Sequence, residues 1–144
     1  DLTRTAWIDQ GVFGPPIGAG GDTTIYQHET SNDADGSAML SSFQTGYFAI
    51  QEGEQKTFVD QVWPDMKWGL YDHLQGATVK VTFFTADYPG DTPRAHEFVV
   101  TKGTQFVTPR FRARLVSIKV ESSDVGSFWR LGNIRYRFQP DGKF

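Results

Sequence analysis

Cysteine is absent from the 144 residues, which excludes a disulfide framework, a thiolate zinc site and a cysteine nucleophile together. Long apolar runs are missing too, and no stretch approaches the ~18 residues that a membrane-spanning helix needs. Helical periodicity is nearly absent, and the single short stretch that fits it is Ser37–Ser42. The chain opens on Asp1, with no methionine and no basic-then-apolar leader. No signal peptide is therefore expected, and the chain reads as a piece of something longer. Missing as well are the Gly-x-Ser-x-Gly elbow, the phosphate-cradling Gly-x-x-x-x-Gly-Lys and the dinucleotide fingerprint. The sequence thus points away from an enzyme, and no cofactor or small-molecule substrate is expected.

What is present is aromatic. Twelve Phe, five Tyr and four Trp suffice for a substantial core, and they exclude a disordered tail. Period-2 alternation bounded by Gly, Pro, Asn and Asp recurs every 8–12 residues or so, the pattern of an all-β sandwich or barrel. In Thr78–Ala86, Val79, Val81 and Phe83 share one face, as in a half-buried antiparallel strand. Ile134, Tyr136 and Phe138 likewise alternate with Arg135 and Arg137. Strands are also expected at Lys56–Trp63 and Gln105–Phe111, with a turn at Pro64-Asp65.

Between Arg110 and Val120 the alternation conflicts with itself. Arg110, Arg112 and Arg114 share a parity with Val116, Ile118 and Val120, so one flat strand would put charges and core residues on the same face. A bulge near Arg114, or a passage from one sheet to another, resolves this. The expected fold is an antiparallel two-sheet β-sandwich over residues 38–144. Residues 1–37 form N-terminal strands and a Gly/Pro-rich loop.

Charge is strongly divided along the chain. Residues 1–93 carry four basic side chains against 13 acidic, a net of −9, and residues 94–144 carry ten against four, a net of +6. For a small β domain this division fits two sheets pairing, or an acidic flank of one subunit meeting a basic flank of the next. A basic surface for nucleic acid is the other reading.

Several constellations invite chemistry. Ser31, Asp33 and Asp35 before Gly36 partly match a calcium loop, but the twelfth position is Ser42 and no helices flank it, so a polar Asx turn is expected. His28, His73 and His96 share no metal-ligand spacing, so no metal site is expected. Asp60, Asp65 and Glu121 would have to face one another across a sugar to serve a glycosidase, which sequence cannot arrange. Trp63, Trp68 and Tyr71 are candidates for a sugar-stacking platform, with Pro64 holding two indoles near solvent. The strongest charge signal is Arg110, Arg112 and Arg114 on one strand with Arg135 and Arg137 on another. On neighbouring strands these five guanidinium groups would meet solvent, carboxylates or phosphate.

Arg4-Thr5-Ala6-Trp7-Ile8-Asp9, Ile25-Tyr26-Gln27-His28-Glu29 and Asp33-Ala34-Asp35-Gly36 resemble segments of tailed-bacteriophage virion proteins. So do Phe58-Val59-Asp60-Gln61-Val62-Trp63-Pro64-Asp65, Trp129-Arg130-Leu131-Gly132 and Arg135-Tyr136-Arg137-Phe138-Gln139-Pro140-Asp141-Gly142. The likeness is to the C-terminal part of packaged-DNA stabilisation or tail-nozzle proteins. It implies a β-rich, non-catalytic virion component that assembles as a homo-oligomeric ring with other virion proteins. The N-terminal strands would be the remnant of a β-propeller blade. The five arginines would face a neighbour's acidic surface or packaged DNA. The alternative is a carbohydrate-binding β-sandwich that recognises a host surface glycan.

Overall fold

The computed structural model describes residues 3–11, 14–68 and 78–142. Among them every regular element is a β-strand, and every pairing is antiparallel. The first three, β1 (Arg4–Ile8), β2 (Ile17–Gly20) and β3 (Ile25–Gln27), form a meander in that order. A second sheet contains β4 (Ser41–Gln44), β7 (Val79–Ala86), β8 (Arg94–Val100) and β10 (Leu115–Ser122), in the order β4-β10-β7-β8, with β5 (Phe48–Ala49) also on β10. The third places the long β6 (Thr57–Trp68) between β11 (Trp129–Pro140) and β9 (Phe111–Ala113). Ser37–Ser42 forms no helix; its last two residues open β4.

The second and third sheets enclose the core between them. Val79, Val81 and Phe83 of β7, Val116, Ile118 and Val120 of β10 and Val100 of β8 meet Val59 and Val62 of β6 and Phe111 and Ala113 of β9. Each such valine, isoleucine or phenylalanine side chain contributes roughly 1.5–3 kcal/mol by leaving water. β-branched residues dominate because their stiff side chains suit a pleated, buried surface.

The parity conflict of residues 110–120 has a plain resolution. β9 belongs to the β6 sheet and β10 to the β7 sheet, so the chain changes sheets at Arg114. Phe111 and Ala113 face inward before the crossing, and Val116, Ile118 and Val120 face inward after it. The arginines therefore stay on the outside.

Two expectations are corrected. Pro64 makes no turn: β6 runs unbroken through it, opposite Ile134, where the β11 register slips between Leu131 and Ile134. A proline has no N–H to give a ladder, so a register irregularity is where a strand tolerates one. Gln105–Phe111 is not a continuous strand; Val107 makes an isolated bridge to Val62 before β9 begins. Arg110 sits in the gap with φ of 47°.

The N-terminal sheet has no core of comparable size. One face carries a polar-aromatic cluster: Arg4 Nε donates to His28 Nε2 at 3.0 Å, and the Arg4 guanidinium lies 4.1 Å from the Tyr26 ring centre. The Trp7 ring lies 4.7 Å from that of His28, tilted by 55°. Glycine at 18 makes room for this, since a Cβ there would sit 2.9 Å from Arg4 Cδ. By the pairing register the other face collects Ala6, Ile8, Ile17, Ala19 and Ile25. It is open, with Ile8 63% and Ile25 73% exposed. The hydrogen bonds of residues 3–37 to other described residues stay within that segment.

Candidate functional site

Because β9 and β11 both pair with β6 and not with each other, the five arginines do not form one ladder. Arg137, opposite Gln61, grips Asp60 with two bonds, Nε to Oδ1 at 2.8 Å and Nη2 to Oδ2 at 2.5 Å. That hydrogen bonding, against the opposing effect of burial, holds the Asp60 carboxyl below its usual range. Arg112, opposite Phe58, lies 5.3 Å over that ring and pairs with Asp141. Arg110 shares a cleft of about 240 Å³ with Arg137, Asp60 and Phe58. Arg110, Arg112 and Arg137 are thus brought to one region. Arg114 turns elsewhere, donating from Nε to the Gly53 carbonyl at 2.8 Å and lying 5.2 Å over Tyr88. Arg135 is exposed farther along β11, opposite Trp63.

The aromatic platform is split. Trp63 and Trp68 are five positions apart on one strand, so they leave opposite faces. Trp68 packs on the core, whereas Trp63 is half-buried on the outer face, 6.3 Å from Phe106. Tyr71 lies outside the described residues, as does His73.

The acidic candidates do not converge. Asp60 is held by Arg137 on the β6 sheet, while Glu121 sits on β10 between Lys80 and Lys119, whose hydrogen bonds lower its pKa. Asp65 is exposed. In the Ser31–Gly36 turn, Asp33 Oδ1 accepts the Gly36 N–H at 2.9 Å, which is an Asx-type contact. Among the described residues no group of three or more His, Cys, Asp or Glu is arranged to hold a metal.

Sequence reasoning missed Arg94 and weighed His96 only as a metal ligand. Both lie on β8 at the parity of Phe98 and Val100, the core-facing side. That shared parity was the signal that could have found them. They open onto a cleft of about 410 Å³, lined also by Phe58, Thr85, Arg110, Phe111 and Arg112, where the edge of one sheet faces the end of the other. The His96 ring lies 5.4 Å from Phe111 and 3.3 Å, Nε2 to Oγ1, from Thr85.

Burial, and after it the Arg94 charge, pushes the His96 pKa below the usual imidazole value. The folded state thus disfavours protonation, and His96 contributes stability that is present above the unfolded-state value of about 6.5 and is lost as pH falls through the folded pKa. Urea melts from pH 7 to pH 5 are expected to show wild type losing stability relative to His96→Gln. A constant difference between the two would refute the assignment.

No family model matches this chain, and no curated protein matches it in sequence. Among the described residues no helix is long and apolar enough to cross a membrane.

Proposed function

We propose that this chain is a non-catalytic structural component of a phage virion, of the tail or neck nozzle kind, and that copies of it associate head to tail in a ring. The observation that carries the assembling role is the open apolar face of the N-terminal sheet, with Ile8 and Ile25 largely in solvent. Three strands need a covered hydrophobic face for independent stability. The phage assignment rests on the sequence resemblance.

A second copy is the occupant that the charges favour. The N-terminal segment as a whole carries Asp9, Asp22, Glu29, Asp33 and Asp35 against Arg4. Near the C-terminal end of the sequence, β11 carries Arg130, Arg135 and Arg137 with no carboxylate of its own, although Arg137 is held by Asp60 of β6. β11 is also an edge strand along its twelve residues, with Tyr136 and Phe138 exposed. Unlike flanks meeting around a rotation axis make a heterologous ring contact. Charge of opposite sign sets its register.

Light scattering on the chain at low and high salt tests this. A multimer that dissociates as salt rises is expected, because exposed charge contacts are screened beyond about 8–10 Å near physiological ionic strength. A monomer at every salt and concentration overturns the ring.

The glycan-binding reading retains one specific support, Trp63 beside the exposed Phe106 on an outer sheet face. It requires that soluble oligosaccharide quench Trp63 fluorescence, with the effect lost in Trp63→Phe.

A further inference from the structure

We propose that the cleft between β8 and β9 binds the phosphoryl group of a sugar phosphate, with Arg94 and Arg110 as its principal ligands.

The argument begins with charge accounting at the cleft. Three arginines line it, together with His96, Thr85, Phe58 and Phe111. Arg112 is neutralised by Asp141. Arg94 and Arg110 have no ion-pair partner among the described residues. Of the carboxylates nearby, Asp60 is bonded to Arg137 and also feels the Arg110 charge, Asp87 pairs with Lys56 at 2.7 Å, and Asp91, which lines the adjoining cleft with Asp87 and Arg94, accepts the Tyr88 N–H at 2.9 Å. Arg94 and Arg110, neither of them in a direct ion pair among the described residues, thus face one concavity whose lining contains no carboxylate. Such a site concentrates anions.

Position adds to this. Arg94 lies on the core-facing side of an edge strand, opposite Thr85. An inward charge there also discourages edge-to-edge pairing, but that role does not explain Arg110. Arg110 follows the buried Pro109 and is held at a φ of 47°, which side-chain-bearing residues other than Asn and Asp rarely adopt. Strain of this kind is characteristic of sites where a side chain must be aimed.

The ligand class follows from the donors. Two guanidinium groups, Arg94 from β8 and Arg110 from the segment just before β9, with the His96 ring beside them, offer hydrogen bonds from several directions. A tetrahedral oxyanion accepts in that way, whereas a planar carboxylate is matched by a single fork. Ligand pockets begin at about 300 Å³. At about 410 Å³ the cleft exceeds a bare phosphate and leaves space for a sugar against Phe58. A free sugar phosphate and the backbone of a nucleic acid share this chemistry.

The test titrates the chain with ribose 5-phosphate, inorganic phosphate, a short thymidine oligonucleotide and acetate. It follows the His96 ring resonance by NMR, assigned by its loss in His96→Gln, and measures affinity by calorimetry. Ribose 5-phosphate is expected to shift that resonance saturably and to bind more tightly than inorganic phosphate. Arg94→Ser and Arg110→Asn should each weaken binding by about tenfold or more. Asn is chosen because it tolerates the left-handed backbone. Arg135→Ser, away from the cleft, should change little. An oligonucleotide that binds more tightly per phosphate, with the same sensitivity to both variants, identifies the source as a nucleic-acid backbone. An oligonucleotide that binds no better identifies a free sugar phosphate. The proposal is overturned by the absence of a saturable shift with any phosphate, by acetate binding equally well, or by variants that bind like wild type. These readouts do not depend on oligomeric state, so the ring and the cleft stand or fall separately.

Discussion

Phe83→Ala is expected to lower the unfolding free energy by about 3–5 kcal/mol, the range for large aromatic truncations in a packed core. Phe83 is 2% exposed in the middle of β7. Its ring meets Phe98 of β8 edge-on at 6.1 Å and Phe111 of β9 at 5.8 Å. The contact with Phe111 crosses from one sheet to the other, so the truncation opens a void at the sheet interface as well as removing transfer energy. Aromatic pairs of this geometry add about 0.5–1.5 kcal/mol beyond area burial. Because Phe111 also touches His96, the void lies next to the cleft and should loosen it. Urea denaturation of wild type and variant measures the loss. A change below about 1 kcal/mol would mean that the cavity collapses freely and that the two sheets are not clasped there.

Replacing Ile8 and Ile25 together with serine is expected to dissociate the proposed ring while leaving the unfolding midpoint of the body close to wild type. Both side chains stand on the open face of the N-terminal sheet. Each gains roughly 1.5–3 kcal/mol if a neighbour covers it. Losing both should weaken association by about a hundredfold or more. The body is spared because the hydrogen bonds of residues 3–37 to other described residues stay within that segment. Sedimentation over a dilution series reads the association, and a denaturant melt reads the body. A double variant with unchanged mass at every concentration would show that the apolar face is not the contact.

Much of the strand content was legible because side-chain alternation is a local property. Val79, Val81 and Phe83 announce β7, since a strand half in water must alternate, whereas on β11 only Ile134 of the expected face packs on the core and Tyr136 and Phe138 stay exposed. The conflict between Arg110–Arg114 and Val116–Val120 was informative for the same reason: it required a break, and the change of sheet at Arg114 supplies it. Pro64 misled because a proline is a strong turn signal only when the chain lacks a register slip to accommodate it. That slip is set by Leu131 and Ile134, almost seventy positions away.

The candidate site was legible only in part. The arginines were visible as charges, but their distribution depended on β6 lying between β9 and β11. Arg94 escaped notice, and His96 was considered only for metal binding, because a charged or polar residue at core parity looks, in sequence, like an interruption of the pattern.

By itself the sequence determined the all-β class, the core-facing residues of β7 and the division of charge, each of which follows from alternation or composition within a short window. Only the tertiary structure decided which strands are neighbours, and hence that Arg110 meets Arg94 across a cleft while Arg135 stands apart. Strand pairing joins residues far apart in the chain, and the free energy that selects one pairing comes from packing two whole sheets face to face.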